Sequence, residues 1–235
     1  MSNSELAINT VLNLGPLEVT STITTTWGIM AVILLVSWWA TRHLSQTPGP
    51  VQTVLEAIVT VIEQAVTEVA PQQAKLLTPF IGSLWIFLII ANLSGLIPTI
   101  HSPTRDLSAT AALAIVVFLS THWYGIHTQG MKRYLQHYLR PSPILLPFHL
   151  ISEITRTVAL AIRLFGNMMS LEMAALLILL VAGFLAPIPI LLLHIIEALV
   201  QAYIFGMLAL VYIAGGIQTQ QLQQQQNQLK GAEHD

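Results

Sequence analysis

The sequence predicts an all-α integral membrane protein: five membrane-crossing helices plus one amphipathic surface helix, ending in a long tilted two-helix hairpin. Two observations carry this reading. Of 235 residues, 54% are hydrophobic and only 9% charged, with 9 Lys and Arg nearly balancing 11 Asp and Glu. A soluble domain carries about 25% charged residues. The apolar residues also gather into runs of the length that crosses a bilayer, about 20 residues each. This composition excludes an ordinary water-facing enzyme, a disordered chain and a nucleic-acid binder. Cysteine is absent, which excludes a disulfide framework, thiol catalysis and a Cys-ligated metal.

Residues 1–22 carry Glu5 and Glu18 and no Lys or Arg. A secretory signal begins with positive charge, so this stretch is read as a retained, polar, extracytoplasmic leader. A single transmembrane domain, residues 23–218, follows. Its first apolar run, Ile23 to Ala40, has Trp27, Trp38 and Trp39 near its ends and Arg42 and His43 just beyond. Aromatic and basic flanks of this kind anchor a membrane span. Thr47-Pro48-Gly49-Pro50 then breaks the helix.

Residues 51–70 place Val51, Val54, Leu55, Ile58, Val59, Ile62, Val66 and Val69 at helical spacing, with Gln, Thr and Glu on the other face. This is an amphipathic helix. Its glutamates make it a poor span. It also lacks the Lys and Arg of helices that lie on lipid headgroups, which favours packing on protein. A second span is predicted from Pro79 to about Pro98. The loop His101-Ser102-Pro103-Thr104-Arg105-Asp106 follows, then a third span from Leu107 to His127. Next comes a basic loop with Lys132, Arg133, His137 and Arg140.

The last two helices run from about Leu146 to Ala182 and from about Pro189 to Ile217, joined by an apolar turn containing Gly183, Pro187 and Pro189. At about 1.5 Å per residue they are roughly 55 and 43 Å long. The hydrocarbon core is only about 30 Å thick, so they must tilt or project. Residues 219–235 read as a solvated, Gln-rich cytoplasmic tail. With the N-terminus outside, Arg42, Lys75, Lys132, Arg133, Arg140 and Lys230 fall inside and only Arg105 falls outside. This arrangement obeys the positive-inside tendency and its reverse violates it.

The hairpin 146–217 keeps charges where a bilayer disfavours them: Glu153, Arg156, Arg163, Glu172 and Glu197, with His149 and His194 beside them. Even the mildest scale puts a central Arg at about 2.5–3.5 kcal/mol. At about 100° per residue, His149, Arg156, Arg163 and Asn167 share one face, and Glu172 points to the opposite side. On the last helix His194, Glu197 and Gln201 share a face. The charges could simply pair with one another and hold the hairpin together, Glu153 with Arg156 most readily. Arg163 is far from either end and calls for a partner elsewhere in the protein or in another subunit. Its guanidinium stays charged at any working pH.

Several motifs in order then resemble subunit a of the rotary F-type ATP synthases. Arg163-Leu164-Phe165-Gly166-Asn167-Met168 is similar to that family's central motif and its essential arginine. Glu172 stands nine residues on, and His194 and Gln201 resemble the polar pair of the family's last helix, continued by Ala202-Tyr203-Ile204-Phe205. Pro79-Phe80, Asn92-Leu93-Ser94-Gly95-Leu96-Ile97-Pro98 and Pro103-Thr104 with Asp106 and Thr110 look like its second span and the loop that follows. The likeness covers about residues 75–215. There are departures. Thr157 stands where proline is common, Leu171 where glycine is frequent, and Glu197 is additional to the His and Gln pair.

The resemblance implies an ion-translocating, non-catalytic subunit in a bacterial plasma (inner) membrane. Its partners would be a ring of c subunits, the b subunits of a peripheral stalk and the lipid bilayer. It implies no cofactor, no metal, no nucleic acid and no small-molecule substrate beyond the transported ion, H⁺ or Na⁺. Arg163 would separate two offset half-channels. Glu172, His194 and Glu197 would line one of them, and Asn167 and Gln201 would hydrogen-bond Arg163 without neutralising it. The main rival is a stand-alone secondary ion transporter, which also buries Arg, Glu and His. Such folds usually show repeated halves or broken helices, and this sequence has no internal repeat. A metalloenzyme is a weaker rival, because no His-Glu-x-x-His spacing occurs.

Overall fold

In the computed structural model, residues 10–14, 17–42, 49–97, 102–131, 146–182 and 188–232 are described. Five helices are long and apolar enough to cross a membrane: α1 (Ser21–Arg42), α3 (Ala74–Ser94), α4 (Leu107–Gln129), α5 (Leu146–Ala182) and α6 (Ile188–Ala232). The amphipathic α2 (Pro50–Val69) is the sixth helix. The predicted all-α membrane architecture is therefore observed.

The differences are local. The leader is not merely polar chain. Thr10–Leu14 and Leu17–Thr20 form two short antiparallel strands, β1 and β2, with Thr10 opposite Thr20 and Leu14 opposite Leu17. α3 starts at Ala74, before the expected Pro79, which lies inside it. Backbone bonds from Leu76 and Leu77 to the Gln73 carbonyl start the helix earlier. A membrane helix tolerates the proline's missing donor because neighbouring groups make up the loss. α3 also ends at Ser94 rather than Pro98. α6 continues through Ala232, well past the expected end at Ile217. Between Gly216 and Gly231 the chain holds no Gly or Pro, and Gln and Leu are good helix formers. The Thr47-Pro48 part of the first break, the basic loop 132–145 and the turn 183–187 lie outside the described residues.

α6 is the centre of the bundle, packing on α3, α4 and α5; α3 also packs on α2, and α4 on α5. The core holds Leu77, Ile81 and Leu88 from α3, Leu164 and Met168 from α5, and Phe205, Leu210, Ile213 and Ile217 from α6. α2 meets this core through Ile62 and Val66. A β-carbon at Gly82 would sit 3.3 Å from Ile62 Cγ2. α2 therefore meets the bundle only through the C-terminal part of its apolar stripe, while Val51, Val54, Ile58 and Val59 stay exposed, so the expected packing on protein holds for one end of the helix. α1 buries only Ile29. Its exposed Trp27, Leu34, Leu35 and Trp39 suit a helix facing lipid, and Arg42 closes its end by lying 3.8 Å over the Trp38 ring.

α3 and α6 approach each other most closely at Gly206. The Trp85 indole lies over this glycine, so that a β-carbon there would overlap the ring. Trp85 Nε1 donates to the Tyr203 carbonyl at 3.3 Å, and the two rings stack at 6.0 Å. The 37 residues of α5 span about 55 Å, against about 30 Å of hydrocarbon. The hairpin therefore tilts or projects.

Candidate functional site

The site is built on one side of the α5–α6 hairpin and on the connection between α3 and α4. Two contacts set the hairpin's register. Asn167 Nδ2 donates to Gln201 Oε1 at 2.7 Å. The Arg156 guanidinium lies 5.4 Å from the Tyr212 ring centroid. The helices run antiparallel, so these two cross-links put Arg163 level with Phe205 and put Glu197 level with Leu171, one residue before Glu172.

Arg163 stands at the middle of α5 and is exposed. It makes no hydrogen bond or ion pair to any described residue. The expected bonds from Asn167 and Gln201 to Arg163 are not made; Gln201 Oε1, one of the two amide acceptors a guanidinium could use, accepts from Asn167 Nδ2 instead. The amide pair ties α5 to α6 one turn from Arg163 and fixes the frame from which the arginine projects. Membrane-embedded polar bonds average about 0.6 kcal/mol and reach about 1.7. Asn167→Ala is accordingly expected to destabilise the hairpin by about 1 kcal/mol. The check is the unfolding midpoint of the chain in mixed micelles as the denaturing detergent fraction is raised.

Glu172 has a partner that sequence periodicity did not suggest. Arg105 Nη1 bonds Glu172 Oε1 at 2.7 Å, with both side chains 19% exposed. The loop that delivers Arg105 is rigidly made. Ser102 Oγ donates to the Ala91 carbonyl at 2.8 Å and lies 2.6 Å from Thr104 Oγ1. Pro103–Arg105 form one 3-10 turn, and Asp106 caps α4 by accepting from the Ser108 amide at 2.9 Å. The sequence reading used Arg105 only as the one cation on the outer face.

His194 is buried, 5% exposed. It lies beside Gly95 at the end of α3, where a β-carbon would make ordinary contact with His194 Cε1 at 3.8 Å but crowd Ser102 Cβ at 3.1 Å. Nearby, Asn92 Nδ2 donates to the Ala198 carbonyl at 3.1 Å. Asn92 Oδ1, His194 Nε2 and Gln201 Nε2 are buried without a hydrogen-bond partner. Each such orphan costs about 1–3 kcal/mol if left dry. The α3–α6 seam thus lines up unsatisfied polar atoms along a membrane-crossing helix. Glu197, on the same face of α6, is partly buried and bonds no described residue.

At the opposite end of the bundle the expected Glu153–Arg156 pair is replaced by two contacts between helices. His122 Nε2 on α4 lies 3.2 Å from Glu153 Oε2, and Arg156 turns to Tyr212. Sequence spacing sees neighbours within one helix, whereas α4 and α6 supply closer partners here.

The family model for the ATP synthase A chain matches residues 23–214. This chain belongs to the subunit a family of F-type ATP synthases. It is 65% identical to ATP synthase subunit a 2 of Pelobacter propionicus over 209 residues, which is 89% of this chain and 92% of the relative. It is 64% identical to ATP synthase subunit a 1 of Hahella chejuensis over 207 residues, 88% of each chain. It is 54% identical to ATP synthase subunit a of Legionella pneumophila over 214 residues, 91% of this chain and 93% of the relative. As a member of the subunit a family the chain is a multi-pass membrane protein and one part of a multi-subunit complex, which sets aside the stand-alone transporter.

Proposed function

We propose that this subunit carries ions between the two faces of a bacterial plasma membrane and the carboxylates of a rotating c-ring, so coupling H⁺ or Na⁺ flow to ring rotation and ATP synthesis or ATP-driven pumping. The observation that carries the reading is Arg163. It is an exposed cation at the middle of a membrane-length helix with no acid bonded to it among the described residues, whereas Glu172 and Glu153 are already paired. A carboxylate passing on another chain answers that charge. At about 4 Å and an effective dielectric of about 20 the attraction is about 4 kcal/mol, enough to favour the ionised form of the passing acid while Arg163 faces it. The same fixed charge bars a cation from crossing directly between two half-channels, so the ion must ride the ring.

The orphan polar atoms of Asn92, His194 and Gln201 support an ion or water path along the α3–α6 seam, with Glu172 and Glu197 on the same side of the hairpin. Asn167 and Gln201 act as a brace beneath Arg163 rather than as its ligands. The orientation that agrees with the basic residues has the N-terminus extracytoplasmic and the C-terminus cytoplasmic. Peripheral-stalk b subunits and lipid cover the remaining apolar faces. Driving energy is about 2.3 kcal/mol per charge per 100 mV, plus the concentration term.

Ion flux through the reconstituted complex, with the sodium gradient varied at fixed pH, assigns the ion. In the same vesicles Glu172→Gln is expected to lower flux at least about tenfold, the scale of one positioned proton- or ion-handling group. Unchanged flux would remove Glu172 from the path.

A further inference from the structure

Arg105 is a loop cation spent on a carboxylate that the proposed path uses. The contact is made across a long sequence separation, at 2.7 Å, between the α3–α4 connection and α5. Its setting is built for it. Ser102 and Thr104 are buried, 5% and 1% exposed, and bond each other, and Ser102 Oγ also bonds the Ala91 carbonyl. The Arg105 amide donates to the Ser102 carbonyl at 3.1 Å, and the Asp106 amide to the Pro103 carbonyl at 3.2 Å. The backbone that carries Arg105 is therefore held to the end of α3, close to where His194 lies beside Gly95. The guanidinium is offered to Glu172 from a fixed base, and the pair keeps 19% of each side chain open. That is enough exposure for an ion to reach the carboxylate.

We propose that Arg105 is a positioning and ion-selecting residue: its guanidinium holds Glu172 at the extracytoplasmic mouth of the half-channel, and a cation gains Glu172 by displacing Arg105 from it. This rests on the assignment of Glu172 to the ion path. The physical reasoning is competition for one oxyanion. A guanidinium is permanently charged and donates in a fixed fork that matches a carboxylate. A small cation must match that interaction before it binds. Cations reach the path only when their concentration or the membrane potential is high enough, and the path is closed by its own side chain when neither is. Na⁺ takes the carboxylate by coordination alone, whereas H⁺ forms an O–H bond on Glu172 that breaks when the proton passes on. One charge replaces another at the Glu172 carboxylate, and Arg105 returns when the ion moves on.

The test uses the whole reconstituted complex. Flux is measured against the concentration of the driving ion on one face at a time, Na⁺ at fixed pH or H⁺ at fixed Na⁺. The other titratable groups on the elements packed around the pair are all left unchanged: Lys75 on α3, Asp106, His122, Tyr124 and His127 at and along α4, Glu153, Arg156 and Arg163 on α5, and His194, Glu197, Tyr203 and Tyr212 on α6. Arg105→Gln, which keeps hydrogen-bonding capacity and removes the charge, is expected to lower the half-saturating concentration on the α3–α4 loop face at least fivefold. The opposite face should stay within twofold of the parent. Arg105→Lys keeps the cation but not the fork, and its half-saturating concentration should fall between those of the parent and Arg105→Gln on the loop face and stay within twofold on the opposite face. A fall in maximal flux with no change in half-saturation would overturn the proposal, as would an equal shift on both faces. Failure of Arg105→Gln to assemble would overturn it too, since the pair would then be serving the fold. Glu172→Gln separates the two levels of the reading. If it blocks flux while Arg105→Gln shifts nothing, only the role of Arg105 falls. If it leaves flux unchanged, the path assignment falls with it.

Discussion

Replacing Arg163 by glutamine is expected to lower ion-driven ATP synthesis at least about 100-fold, the scale seen when one preorganised charge-stabilising donor is removed, while the chain still assembles. Assembly survives because Arg163 is exposed and bonds no described residue of its own chain. Its removal breaks no contact within the bundle and relieves a charge that a bilayer disfavours by about 2.5–3.5 kcal/mol. Function is lost because nothing else at that level is positive. The neighbours across the hairpin are the buried Phe205 and Gly206, and the nearest polar pair, Asn167 with Gln201, is neutral. Arg163→Lys is expected to recover only a small part. An ammonium keeps the charge but is more strongly hydrated and lacks the planar fork. The check is synthesis driven by an imposed ion gradient, normalised to the amount of subunit a in the purified complex.

The second large effect is expected at Gly206. Glycine inside a helix costs about 1 kcal/mol relative to alanine, yet here it lets the Trp85 indole lie directly on the α6 backbone and donate to the Tyr203 carbonyl. Small residues that permit close backbone approach are a general means of joining membrane helices. In Gly206→Ala the added methyl occupies the place of the ring. Either Trp85 rotates away, losing its bond and its stack on Tyr203, or α3 and α6 separate. Overpacking of this kind costs about 1–3 kcal/mol, and the propensity gain of alanine offsets only part of it. A double-mutant cycle with Trp85→Leu provides the check. In that background the alanine is expected to be neutral or stabilising, and the coupling between the two positions should exceed about 0.5 kcal/mol. Equal costs in both backgrounds would place the effect of Gly206 elsewhere.

Much of the fold was legible because membrane helices announce themselves by length and by their flanks. The Trp27, Trp38, Trp39 and Arg42 flanks marked α1. The Thr47–Pro50 break and the valine and isoleucine stripe marked α2, and the long uninterrupted runs marked the hairpin. What escaped was of two kinds. Short local structure was masked by polarity. The strands flanking Gly15-Pro16 alternate Thr, Leu, Val and Glu around a turn dipeptide, a hairpin signal that reading the stretch as a polar leader passed over. Pro79 suits a helix start, whereas in this packed membrane helix it lies inside.

The second kind is long-range pairing, which periodicity cannot address. Spacing put Glu172 on the opposite side of α5 from Arg163, but it could not say that the α3–α4 loop would bring Arg105 to Glu172. It put Asn167 on the Arg163 face and His194 and Gln201 on one face of α6. It did not reveal that Asn167 and Gln201 would take each other as partners. One signal was available for Arg105: the positive-inside expectation leaves it as the sole basic residue on the outer side, and an isolated cation against the charge rule invites the question of what it answers.

The central claim is that Arg163 both attracts the ring carboxylate and separates two half-channels. Passive ion flux through vesicles holding the membrane sector alone tests it most directly, with Arg163→Ala compared against the parent under an imposed potential. The account predicts that the variant, unable to synthesise ATP, conducts more ion than the parent in the absence of any coupled work, because the charge barring direct passage is gone. A variant that loses synthesis yet shows passive flux equal to or below the parent's would contradict it.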